Sequence, residues 1–115
     1  MLRALGDLMK KCVRSADIVC RYGGEEFVII MPGASEPTVS KCAEEIRSKF
    51  QDLCVISNNR EIHATISMGA AIFPLHGSNV DEVFVRADRA MYRAKLEGRN
   101  RVVVFSVESN SKNAE

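Results

Sequence analysis

Along the chain, apolar residues recur at helical spacing in three long stretches and gather in short β-branched runs between them. Leu2, Leu5, Leu8, Met9, Cys12 and Val13 predict an amphipathic helix over residues 2–14 with one core face. Residues 18–22 and 26–31 are rich in β-branched and aromatic side chains and are separated by Gly23 and Gly24. That pattern predicts a hairpin, because glycine admits the positive φ of a tight primed turn. Pro32 and Gly33 close the second strand. Ser35 is placed to cap a helix running to Phe50, with Val39, Cys42, Ala43, Ile46 and Phe50 on its buried side. A short apolar segment over 53–56, a turn at Ser57, Asn58 and Asn59, and a longer strand over 61–73 follow. In the first half of that strand Ile62, Ala64, Ile66 and Met68 alternate with His63, Thr65 and Ser67. Pro74 and Gly77 mark a loop. Asn79 caps a last helix, whose stripe of Val80, Val83, Phe84, Ala87, Ala90, Met91 and Ala94 runs until Gly98. Residues 101–105 form the final strand, and 106–115 a polar tail.

Helix, hairpin, helix, strands, helix and strand in that order describe an α/β (α+β) fold, a mostly antiparallel central sheet covered by helices. The chain reads as one domain over 1–105, without internal repeats. Its opening helix has no strand before it, whereas folds of this kind usually begin with one.

Composition narrows the function. A chain of 115 residues, 46% of them hydrophobic, is long enough to bury a core and excludes a disordered segment. Sixteen Lys and Arg against fifteen Asp and Glu leave a net charge of +1. No global field then favours a nucleic-acid polymer or an anionic membrane, so any anion must be held locally. Cys12, Cys20, Cys42 and Cys54 show no CxxC spacing, and three of them sit at apolar positions, which predicts buried, reduced thiols. The start MLRALGDLMKK lacks the apolar run of a signal peptide, and no apolar stretch reaches membrane-spanning length. The expected compartment is the cytoplasm.

The stretch RYGGEEFVIIM sets adjacent carboxylates, Glu25 and Glu26, at the mouth of an apolar strand. Adjacent carboxylates repel and raise each other's pKa unless a cation lies near, and a hard ion such as Mg²⁺, completed by water and phosphate, fits them. Gly23 and Gly24 leave the turn bare of side chains, so that a phosphate or ribose can lie against the backbone. The plain alternative is two solvated glutamates at a hairpin mouth. Lys95 and Arg99 stand four apart and would share a helix face, either meeting phosphate or simply complementing the helix C-terminus. His63 and His76 have no partner at telling spacing and read as ordinary strand and loop residues.

RYGGEEFVIIMP resembles the signature of the GGDEF family, the diguanylate cyclases that condense two GTP into cyclic di-GMP, here in the GGEEF form. ISMGAAIFP and ADRAMYRAKLEGRN continue the resemblance in the right order over nearly the whole chain, with Ser67 in a packing role. The resemblance implies a nucleotide-cyclase and polymerase-palm-like fold with a ferredoxin-like core, lacking its first strand. It implies that Glu25 is the main ligand of a catalytic Mg²⁺ (or Mn²⁺), that Glu26 stands at the same site, and that Gly23 and Gly24 form the turn against the nucleotide. It places Lys95 and Arg99 on the triphosphate, and Arg14 and Asp17 in the RxxD pattern of a product-binding inhibitory site. A second arginine usually joins that site, and Glu45 occupies its aligned position while Arg47 projects differently. The aspartate of the first strand and the guanine-reading asparagine and aspartate are not matched, and Asp7 falls several residues too late. The implied partners are GTP, cyclic di-GMP, a second copy of the domain for turnover, and a sensory or regulatory domain ahead of it. A binding module that senses cyclic di-GMP through Arg14 and Asp17 is the alternative to an enzyme.

Overall fold

The computed structural model describes residues 1–24 and 26–106; Glu25 and the tail beyond Ser106 lie outside the described residues. Two compact units divide the chain, Met1–Thr65 and a second that begins at Ile66.

In the first unit, helix α1 (Leu2–Cys12) buries Leu5 and Met9, one turn apart on a single face. It packs against α2 (Glu36–Asp52) and against β1 (Ile18–Arg21). Ser35 caps α2 as expected, its hydroxyl accepting from the Thr38 N–H at 3.4 Å, and Pro37 fits the first turn, where no N–H is needed. Ala43, Ile46 and Phe50 supply the buried stripe, and the Ile46 side chain is wholly enclosed. Strand β1 pairs antiparallel with β2 (Phe27–Ile30), from Ile18↔Ile30 to Arg21↔Phe27. Strands β3 (Val55–Ser57) and β4 (Arg60–Ile62) form a second hairpin. Its two-residue turn is Asn58-Asn59, at φ 53° and 64°, the left-handed pair of a type I′ connection.

In the second unit, β5 (Ser67–Ala70), α3 (Val80–Leu96) and β6 (Arg101–Val104) make a βαβ unit. The intervening helix makes β5 and β6 parallel, in register Ser67↔Arg101 to Ala70↔Val104. Asn79 caps α3, its Oδ1 accepting from the Glu82 N–H at 2.9 Å. Ala90 and Ala94 of α3 are buried, with Ala70 and Phe105. Small residues let helix and strand approach until the Gly69 backbone touches α3; a Cβ there would strike the backbone of Ala87 and Met91, with the Met91 Cα 2.7 Å away. His76, expected to be an ordinary loop residue, is buried and organises its loop. Its Nδ1 accepts from the Ile72 N–H at 2.9 Å, its carbonyl accepts from Arg86 at 3.0 Å, and its ring meets Phe105 edge-on at 5.3 Å.

The α+β composition matches the expected class, with differences in the sheet. Among the described residues the strands pair in three two-stranded ladders, two antiparallel and one parallel. The long strand expected over 61–73 is two strands, because β4 takes β3 as partner while β5 takes β6, and no ladder joins them across 63–66. The thiols are all free, yet Cys20 and Cys54 are exposed and Cys12 and Cys42 half-buried. For Cys20 and Cys54 the expected burial fails because Cys20 lies on β1 and Cys54 just ahead of β3, strands largely open to solvent. Among the described residues no helix is long and apolar enough to cross a membrane.

The Gly69 contact is with backbone, which cannot swing aside. Gly69→Ala is therefore expected to destabilise the protein by roughly 1–3 kcal/mol, the range for overpacking, measured by urea unfolding.

Candidate functional site

The β1–β2 connection is longer than a primed turn. Pairing stops at Arg21↔Phe27, so five residues bridge the strands. The N–H groups of Tyr22 and Gly23 both donate to the Glu26 carbonyl, at 2.8 and 3.4 Å. Arg21 donates from Nη2 to the Gly24 carbonyl at 2.7 Å. The expected positive φ is absent from both glycines; the left-handed glycines are Gly33 and Gly98. A Cβ on Gly23 or Gly24 would meet nothing within 4 Å. Neither backbone conformation nor packing among the described residues thus requires glycine at either position. Glu26 is exposed beside this open space, and no side chain among the described residues pairs with its carboxylate. Glu25 lies outside the described residues.

The second set of expected residues closes α3. The helix ends at Leu96 and Glu97 is its C-cap. Gly98, Arg99 and Asn100 then adopt φ of 124°, 63° and 46°, and the Arg99 N–H reaches the Ala94 carbonyl at 2.9 Å, the long bond of a Schellman turn. Lys95 and Arg99 therefore do not share a helix face, since Arg99 stands past the point where the helical period applies. Both are exposed at the α3 C-terminus. Glu97 is taken by Arg93 at 2.7 Å and approached by Arg101 at 3.9 Å, while neither Lys95 nor Arg99 enters an ion pair among the described residues. Holding an arginine in the left-handed region costs about 1–3 kcal/mol.

Arg14 and Asp17 are brought together. Arg14 donates from Nη2 to Oδ1 at 2.7 Å and from Nε to both carboxylate oxygens at 3.1 Å, while the Arg14 backbone N–H donates to Oδ2 at 2.8 Å. Nη2 also reaches the Pro32 carbonyl at 2.9 Å. The Asp17 side chain has no exposed surface, whereas Arg14 keeps 44% of its own. Hydrogen bonding from Arg14 holds the Asp17 carboxyl below the usual range, and the same bond raises Arg14. Glu45 pairs with Lys49 at 2.9 Å, and Arg47 is engaged by Glu44 and by Gln51, so α2 offers no second arginine beside Arg14.

One cluster escaped the sequence reading. Cys54, Glu61 and His63 bring a sulfur, a carboxylate oxygen and an imidazole nitrogen within 4.8 Å of one another on the β3–β4 hairpin. The signal that finds it is the Asn-Asn turn, which sets Ser57 opposite Arg60 and thereby Cys54 opposite His63.

The hairpin mouth, the Schellman turn and the RxxD clasp carry the motifs of one family. A family model described as diguanylate cyclase, GGDEF domain, matches residues 1–101. The chain belongs to the GGDEF family. It is 33% identical over 104 residues to diguanylate cyclase A of Treponema denticola, covering 90% of this chain and 28% of that protein. Among solved structures, the GGDEF domain of DgcB from Caulobacter crescentus in complex with c-di-GMP superposes with a TM-score of 0.80 at 31% identity, covering 90% of this chain and 61% of that one. The active GGEEF domain of a diguanylate cyclase from Vibrio cholerae gives a TM-score of 0.78 at 27% identity, covering 91% and 66%. The GGDEF chain thus spans under a third of the curated relative and about two thirds of the solved domains. Its α+β fold is that of the family, which generally uses a divalent metal.

The RxxD clasp has a defined pH dependence. Because the folded carboxyl of Asp17 titrates low, its stabilising contribution is present above the unfolded aspartate value of about 3.9 and is lost as pH falls through the folded value. In denaturant unfolding at a series of pH values, the stability gap between the wild type and Asp17→Asn should stay level at neutral pH and shrink below about pH 4.

Proposed function

We propose that residues 1–105 form the catalytic domain of a diguanylate cyclase, which condenses two GTP into cyclic di-GMP. The observation that carries this reading is the pair of glycines that the described residues do not require. With a Cβ on either meeting nothing within 4 Å and with neither φ in the left-handed region, the bare backbone is explained by a ligand that lies against it. With the Gly23 N–H already turned to the Glu26 carbonyl, the two glycines leave open space in which a nucleotide phosphate can lie against the backbone. Lys95 and Arg99, both exposed at the C-terminal end of α3, are the cations this reading assigns to the triphosphate. Glu25 and the exposed Glu26 would hold a divalent cation, for which carboxylate oxygens are the fitting donors. Mg²⁺ or Mn²⁺ held there supplies charge neutralisation for phosphoryl transfer.

The chemistry joins the 3′-oxygen of each nucleotide to the α-phosphorus of the other, with a pyrophosphate leaving each. Two loaded domains must face each other, so the working form is a homodimer. A sensory or regulatory domain in a longer protein would govern that encounter, and the cytoplasm is the compartment where the substrate lies.

A second reading concerns Arg14 and Asp17. The carboxylate orients the guanidinium through Nε and Nη2, while Nη1 makes no hydrogen bond among the described residues. Because Nη2 is also taken by the Pro32 carbonyl, it is the Nη1 N–H groups that an arginine held this way offers to guanine or phosphate. Cyclic di-GMP binding here would make the same domain its own product sensor.

The first reading is tested with a substitution that should cost nothing structurally. Gly24→Leu is expected to melt within the small range of surface substitutions, about 0.5 kcal/mol either way. GTP should raise the melting midpoint of the wild-type chain in the presence of Mg²⁺, and Gly24→Leu should weaken that binding about tenfold or more. Unchanged GTP binding by the variant, or no GTP-dependent shift in the wild type, overturns the reading. For the second, calorimetry with cyclic di-GMP should show binding that Arg14→Ala abolishes; binding that survives the substitution removes the site.

A further inference from the structure

The β3–β4 hairpin carries a cluster that nucleotide chemistry does not use. Its register places Val55 opposite Ile62 and Ile56 opposite Glu61. Continued by one residue, it sets Cys54 across from His63. Side chains alternate across a ladder, so Cys54, Glu61 and His63 share one face while Val55 and Ile62 point to the other. Their donor atoms come within 4.8 Å of one another, and all three residues are exposed. No hydrogen bond or ion pair joins any two of them. Three polar groups that converge without satisfying one another leave a shared point between them.

We propose that Cys54, Glu61 and His63 form a binding site for a borderline divalent transition metal, with Zn²⁺ the first choice and water completing the shell. Thiolate, imidazole and carboxylate together select Zn²⁺ over Mg²⁺, which demands oxygen ligands and octahedral geometry. Tetrahedral Zn²⁺ holds sulfur at about 2.3 Å and nitrogen or oxygen at about 2.0–2.2 Å. Its donors then stand under about 4 Å apart, a closure that exposed side chains reach by small rotamer changes. The backbone needs no adjustment, because the type I′ turn fixes which residues face each other. Cys54 directly follows Leu53, the C-cap of α2. An ion bound to it and to β4 therefore ties the exit of α2 to the far strand of the hairpin. Binding takes the proton from the thiol, so affinity rises with pH.

Titration of the full chain with Co²⁺ tests the site. The expected result is saturation at one ion per chain, with a thiolate-to-cobalt charge-transfer band that Zn²⁺ displaces and excess Mg²⁺ does not. Zn²⁺ should also raise the melting midpoint, since it binds the folded hairpin alone. Cys54→Ser should abolish the band. His63→Gln should weaken Zn²⁺ binding by more than the roughly 10- to 100-fold typical of losing an outer partner of a metal ligand. Cys20→Ser, which removes the other exposed thiol, should change neither. A missing band, undiminished Zn²⁺ affinity in His63→Gln, or loss of the band in Cys20→Ser overturns the proposal. Because each readout concerns the metal alone, failure here leaves the cyclase reading untouched, and failure there leaves this site untouched.

Discussion

Backbone pairing between β1 and β2 runs from Ile18↔Ile30 to Arg21↔Phe27 and stops where the N–H groups of Tyr22 and Gly23 converge on one acceptor, the Glu26 carbonyl. That shared acceptor sets the geometry of the hairpin mouth. It holds Tyr22 to Glu26 just past the last ladder pair, with Glu26 at the rim in solvent and Gly23 and Gly24 beside open space. Phe27, Val28 and Ile29 are half-buried behind it, so the carboxylate rim rises from a strand that packing holds in place. A site built on a packed strand keeps its functional groups more precisely placed than one on a free loop.

Charge by itself marks nothing here. Asp7, Lys10, Lys11, Asp88 and Arg89 also enter no ion pair among the described residues, and exposed pairs contribute only about 0–1 kcal/mol where they do form. Glu26, Lys95 and Arg99, which enter no ion pair among the described residues, gain meaning from the backbone beside them. At the hairpin mouth, two glycines stand where neither φ nor packing calls for them. Past α3, two non-glycine residues, Arg99 and Asn100, are held in the left-handed region. Glycine without a local reason and strain without glycine are opposite departures from what local stability favours, and both fall on motif residues.

Much of this was legible in the sequence, for identifiable reasons. The three helices follow from a 3.6-residue period that persists for several turns, and Ser35 and Asn79 follow from capping chemistry that acts within three residues. The hairpin at the glycines was legible as a hairpin. Its turn was not, because a loop of five and a turn of two differ by where pairing stops, which side-chain pattern does not encode. The run over 61–73 kept its alternation across a change of partner, so a single strand was the natural reading. Arg99 illustrates a third limit: the four-residue spacing to Lys95 counts along a helix that has already ended at Leu96. Gly69 could be named from its motif, but its necessity appears only when α3 lies against it.

The Cys54 cluster was hidden for a different reason. Nine positions separate Cys54 from His63, which matches no local ligand motif, and their proximity is a product of ladder register. Asn58 and Asn59 encode that register by tolerating positive φ, so two turn residues that touch no ligand decide which side chains converge. Donor hardness then separates the two metal readings of this chain. Carboxylates at a nucleotide site suit a hard ion that keeps its waters, whereas a thiolate and an imidazole give a borderline ion a better bond than Mg²⁺ can make. An excess of Mg²⁺ sufficient to load a triphosphate would therefore leave the hairpin free for Zn²⁺, and the two ions would act on the domain independently.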